Sequence, residues 1–108
     1  MGGNKMHILS GIIYCEECGK KFNYKNNSNP IYICQNRKNY GTSKCDCRTV
    51  GELFLLEIIE QHCRILNKQF STSKVKLFVN KIKVSNDHII IYYKDGSLSE
   101  ITSDHIKY

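Results

Sequence analysis

The sequence predicts an α+β fold: cysteine-bearing hairpins first, then a long helix, a short helix and a C-terminal antiparallel β-meander. Three observations carry that prediction. Five of the six cysteines crowd into residues 8–48 among Asn, Gly and Lys, a composition of short strands and turns gathered round a fixed point. Apolar residues recur at helical spacing from Leu56 onward. The last third reads as short apolar strands separated by two turn signals.

Taken in order, Phe22–Lys25 ("FNYK") and Ile31–Gln35 ("IYICQ") are aromatic and β-branched runs. The turn formers "NNSNP" between them predict a hairpin. Thr49 and Glu52 in "TVGE" have the spacing of a capping box. Leu56, Ile59, Cys63, Leu66 and Phe70 then make one apolar stripe. Ser71–Ser73 is expected to end that helix and cap a shorter one through "KVKLFVNKI". "KIKV" alternates as a strand, Asn86-Asp87 turns, and "HIIIYY" is apolar on both faces. Asp95-Gly96 predicts a hairpin into "SLSEIT", so three strands form a meander packed on the helix.

Residues 7–48 thus read as a cysteine-centred ribbon, and residues 49–104 as a helix and closing meander of the same domain. Met1-Gly2-Gly3 reads as a start codon and spacer joined to a segment that begins near Asn4, with residues 1–6 as linker ahead of the domain; the chain reads as a fragment of a longer protein. A chain of 108 residues buries a modest fraction of its surface, so a covalent or metal staple is useful. No apolar run reaches the length that spans a bilayer, and no signal-peptide pattern opens the chain. The expectation is a cytoplasmic protein without a membrane partner, in a compartment that keeps thiols reduced.

Cys15-x2-Cys18, Cys34 and Cys45 have the pattern of two knuckles at the bases of neighbouring hairpins. A closed zinc site needs four soft ligands placed tetrahedrally, and a CxxC turn puts two on one side of the ion. Gly19 suits the turn after the second ligand, where a positive φ lets N–H groups point at sulfur. One structural zinc is the expected cofactor. The C-x10-C spacing of the second pair is long, and the fourth ligand is open between Cys45 and Cys47. A disulfide framework lacks a secretory signal, a thioredoxin-like pair lacks its βαβ context, and a rubredoxin-type iron site lacks a second CxxCG. Cys63 lies on the helical stripe and is expected in the core. Its neighbour His62 points about 100° away, so it is expected to be solvated or capping. His7, His88 and His105 are scattered and carry no expected role.

"HILSGIIYCEECGKKF", "YICQNRKNYGTSKCDCRTV" and "LFLLEII" together resemble the recombinase zinc β-ribbon of large serine recombinases. The resemblance runs over residues 7–66 and 75–96. It matches the fourth ligand to Cys45, giving Cys15, Cys18, Cys34 and Cys45. It implies a DNA-binding domain that recognises the outer part of an attachment half-site, in a site-specific recombination or integration enzyme whose catalytic domain lies elsewhere. Recombinase subunits or a directionality factor are further partners it implies. The family's coiled-coil arm would interrupt the chain after the helix, where this sequence has only "NKQFSTSKV".

The basic residues agree with double-stranded DNA. Sixteen Lys and Arg face ten Asp and Glu, and the net charge of +6 falls only to about +4 once four thiolates hold a divalent ion. Lys20, Lys21, Lys25, Asn36, Arg37, Lys38, Lys44 and Arg48 are the candidate DNA contacts, interleaved with Tyr24, Asn39 and Tyr40. The competing readings are charges that merely solvate a small surface, and a zinc-ribbon protein-interaction module within a larger nucleic-acid enzyme. No constellation of acids or nucleophiles argues for catalysis by this chain.

Overall fold

The computed structural model describes residues 8–26, 29–41, 45 and 47–102. Two sheets and three helices make up these residues, an α+β architecture. The predicted hairpin forms from β2 (Phe22–Asn26) and β3 (Pro30–Cys34), antiparallel, with Phe22 opposite Cys34 and Tyr24 opposite Tyr32. The two-residue β4 (Val50–Gly51) adds to β3 and completes this sheet. A six-residue helix, α1 (Gln35–Tyr40), leaves β3 directly after Cys34. It has no buried residue and therefore no apolar stripe to announce it in the sequence.

The long helix, α2 (Glu52–Ile65), buries Leu55, Leu56, Ile59 and Cys63. Its start corrects the capping-box expectation. Gly51 holds the N-cap position in extended backbone without a side-chain cap, because Val50 and Gly51 are already paired to β3. Glu52 turns inward instead and accepts a 2.9 Å hydrogen bond from the Tyr32 hydroxyl, which in turn accepts from the Leu9 N–H at 3.1 Å. Hairpin, helix and N-terminal segment are joined at one buried point, and burial pushes the Tyr32 phenol upward, with Glu52 adding to the shift. At its other end α2 closes in a Schellman arrangement. Lys68 N–H bonds Cys63 O and Asn67 N–H bonds Arg64 O, with Asn67 at φ 59°. Leu66 and Phe70 thus fall outside the regular helix, and Leu66 is exposed.

The short helix also differs from expectation. A 3-10 turn (Thr72–Lys74) precedes α3 (Val75–Phe78), and the remainder of "KVKLFVNKI" is already strand. Ser71 and Ser73 hydrogen-bond each other at 3.0 Å rather than capping a helix. The β-branched residues from Val79 on pair with β6, and that pairing overrides a continued helix.

The meander forms as predicted, from β5 (Val79–Val84), β6 (His88–Tyr93) and β7 (Leu98–Thr102). It gains a fourth strand that local pattern did not reveal. β1 (Ile13–Cys15) pairs parallel to β5, with Cys15 beside Val84. The N-terminal ribbon block and the closing block consequently share one sheet. Leu9, Ile13, Tyr32, Leu55, Ile59, Ile82, Ile89 and Ile91 belong to one buried cluster. The helix α2 touches β3 and β4 on the ribbon side and β7 on the meander side.

Candidate metal centre

Each of the four predicted sulfurs is delivered by a different piece of local structure. Cys15 ends β1, and Cys18 follows in a turn closed by the Cys15 N–H to Lys20 O and Gly19 N–H to Cys15 O bonds, both 2.8 Å. Gly19 sits at φ 79°, the conformation that tight return requires. Cys34 ends β3, and Cys45 lies beyond α1.

The four Sγ atoms lie within 4.8 Å of one another. Cys15 and Cys45 are 3.5 Å apart, Cys18 and Cys34 3.4 Å, and Cys34 and Cys45 3.7 Å. Four thiolates bound tetrahedrally to zinc at about 2.3 Å would have edges of roughly 3.8 Å, so the donor set fits. These separations are far above the roughly 2.05 Å of a disulfide, and all six cysteines are free thiols.

The electrostatics of the cluster call for a cation. Burial pushes the Cys15 thiol up to about 12, aided by Cys47. Burial likewise raises Cys34, against the backbone N–H groups of Arg37 and Asn36, and Cys45, against that of Cys47. Only Cys18 moves down. Burial opposes the shift, but the Lys20 N–H and the neighbouring thiols outweigh it and hold Cys18 at about 7. Four thiolates this close cannot ionise together without a compensating charge.

The remaining two cysteines lie outside the four-sulfur set. Cys47 is fully buried and donates to Val84 O at 3.4 Å; its thiol borders Cys15 but is not one of the four mutually close sulfurs. Cys63 packs in the apolar face of α2.

The histidine expectations need correction. His62 stacks on Tyr93, rings 3.9 Å apart and nearly parallel at 9°, and its Nε2 meets Ser97 Oγ at 3.0 Å. It therefore joins α2 to the β6–β7 hairpin rather than standing in solvent or capping. His88 is not idle: its Nε2 lies 2.9 Å from Glu16 Oε1, linking β6 to the first knuckle. That contact follows from the β1–β5–β6 order, which no local pattern encodes. His7 and His105 lie outside the described residues.

The expected DNA contacts divide by environment. Lys20, Lys21, Lys25 and Lys38 are exposed, on the first knuckle, β2 and α1, and Asn36 is half-buried on α1. Arg37 and Arg48 are also half-buried and engaged internally. The Arg37 guanidinium donates to Cys47 O at 3.0 Å. The Arg48 N–H donates to Asn86 Oδ1 at 2.9 Å and its guanidinium to Asn86 O at 3.5 Å. Lys44 lies outside the described residues.

No curated protein and no solved structure matches the chain. A family model described as the recombinase zinc beta ribbon domain matches residues 8–64, from the turn ahead of β1 almost to the end of α2. That span contains all four clustered cysteines. The chain belongs to the recombinase zinc beta ribbon domain family.

Proposed function

We propose that this chain is the zinc-stabilised DNA-binding domain of a site-specific serine recombinase, recognising the outer part of an attachment half-site. The observation that carries the reading is the four-sulfur cluster with exposed Lys20, Lys21 and Lys38 on the elements that build it. One structural zinc is held by Cys15, Cys18, Cys34 and Cys45. Bound there, zinc offsets the thiolate charge and ties β1, β3 and the segment after α1 together. The surface lysines supply phosphate contacts that set register, and Asn36 is the candidate for reading a base edge. Arg37 and Arg48 complete the candidate set; each guanidinium also donates to a backbone carbonyl, Cys47 O at 3.0 Å and Asn86 O at 3.5 Å, so DNA contact by either competes with an internal bond. Residues 7–48 and 49–104 act as one domain, and the chemistry of strand cleavage belongs to another part of the enzyme.

A mobility-shift titration against half-site and scrambled duplexes, with and without chelator, tests this reading. Zinc-dependent binding that weakens steeply with salt supports it. Binding that ignores ionic strength, or a zinc-loaded protein that binds no duplex, removes it in favour of a protein-docking ribbon.

A further inference from the structure

The family match stops at residue 64, and the sheet beyond it has an outer face that the metal centre does not use. Strand alternation buries Ile82, Val84, Ile89 and Ile91 and turns Lys81, Lys83, Ile90 and Tyr92 the other way. Register brings neighbours together across this face. Tyr14 of β1 lies beside Lys83, Lys81 lies beside Tyr92, and Tyr14 is bridged to Lys21. The Lys21 ammonium sits 5.9 Å from the Tyr14 ring centre. Those of Lys81 and Lys83 sit 5.6 and 6.0 Å from that of Tyr92. Two aromatic rings thus hold three cations on one surface.

The three lysines are not engaged in the ion pairs of the described residues, which are Arg64–Glu60, Lys68–Asp95 and His88–Glu16. Glu100, in register with Ile90, is the acid on this face of the meander. An open groove of about 500 Å³ runs beside Lys81 and Lys83, bordered by Tyr14, Cys15, Glu16, Gly19 and Asn80, and its one acid, Glu16, lies 2.9 Å from His88 Nε2.

We infer that this face is a phosphate-backbone contact surface for duplex DNA, built by Lys21, Lys81 and Lys83 around Tyr14 and Tyr92; it rests on the DNA-binding reading above and extends it from the ribbon to the closing sheet. The chemistry selects among polymers. Lysine is depleted at protein–protein interfaces, whereas a cluster of unpaired lysines complements a polyanion. Binding of a single strand by stacking needs bare aromatic faces, and here ammonium groups lie over both rings. Lys21 also belongs to the ribbon's own set of cations, so one DNA backbone can pass from the first knuckle onto β5 without leaving positive surface.

The test uses the zinc-loaded chain and fluorescence anisotropy on half-site and scrambled duplexes between about 50 and 200 mM salt. In Lys81→Gln/Lys83→Gln the slope of log K against log salt should fall by about 2, close to 0.9 per lost phosphate contact. Affinity should drop by the same factor on both duplexes, with zinc stoichiometry and circular dichroism as in the parent chain. Lys81→Arg/Lys83→Arg should restore the slope. An unchanged slope in the glutamine variant, with the parent chain still binding DNA, overturns this inference and leaves the wider reading intact. A parent chain that binds no duplex at low salt overturns both. A loss confined to one duplex sequence, or to single strands, overturns the assignment to the duplex backbone.

Discussion

Replacing Cys45 and Cys47 separately by serine discriminates the metal centre most sharply, because both thiols are buried two residues apart and only Cys45 belongs to the four-sulfur set. Cys45 Sγ is 3.5 Å from Cys15 Sγ and 3.7 Å from Cys34 Sγ, so Cys45→Ser removes one of four converging donors. Cys47 Sγ faces the Val84 carbonyl, so Cys47→Ser exchanges a weak buried S–H donor for a hydroxyl of nearly the same shape. For Cys47→Ser the expected cost is about 1–2 kcal/mol, from a shorter side chain that reaches Val84 O less well and a small packing defect, with zinc still at one per chain. For Cys45→Ser the loss is the linkage stabilisation itself. A folded state that binds zinc with free ion at about 1,000 times its dissociation constant gains about 4 kcal/mol over the unfolded chain. Urea unfolding at two buffered zinc levels, alongside native mass spectrometry, reads both quantities. The parent and Cys47→Ser should unfold at higher urea as zinc rises, and Cys45→Ser should be indifferent to it. One zinc retained in Cys45→Ser and lost in Cys47→Ser would reassign the fourth ligand and refute the geometric argument.

Zinc uptake by the metal-free chain at pH 7.5 should release about three protons, since Cys15, Cys34 and Cys45 are held protonated by burial and Cys18 sits at about 7. Acidification should therefore expel the ion, and an indicator-dye titration showing one proton or none contradicts that picture. Tyr32→Phe strands the buried Glu52 carboxylate and the Leu9 N–H at once and should cost about 2–4 kcal/mol in urea unfolding. A loss below about 0.5 kcal/mol would show that water replaces the hydroxyl. Cys63→Ala should keep one zinc and lose about 1 kcal/mol for the volume removed from the α2 face; metal loss in that variant would make Cys63 a ligand.

Local pattern was enough to reach the hairpin, the long helix, the meander and the four-cysteine spacing, because each rests on interactions between residues near in sequence. A CxxC turn with Gly19 behind it, and an Asp95-Gly96 turn between strands, act within a few residues. Long-range pairing decided the rest. β1 reads as three residues leading to a knuckle, and only its parallel register with β5 makes it a sheet strand. That one pairing sets Cys15 beside Val84, brings Glu16 to His88 and aligns Tyr14 with Lys83. Glu52 shows the same limit from the other side. Its spacing from Thr49 favours a cap, yet the β3–β4 pairing at Val50 moves the helix start to Glu52, and the Tyr32 hydroxyl claims the carboxylate. A cap contributes about 1 kcal/mol, whereas an unpartnered buried carboxylate costs more, so tertiary burial decides where Glu52 points. The sequence determined by itself which residues make turns, strands and a thiolate set. Which of those residues meet was decided by the order of strands in a sheet, because a contact across 70 residues leaves no periodic trace along the chain.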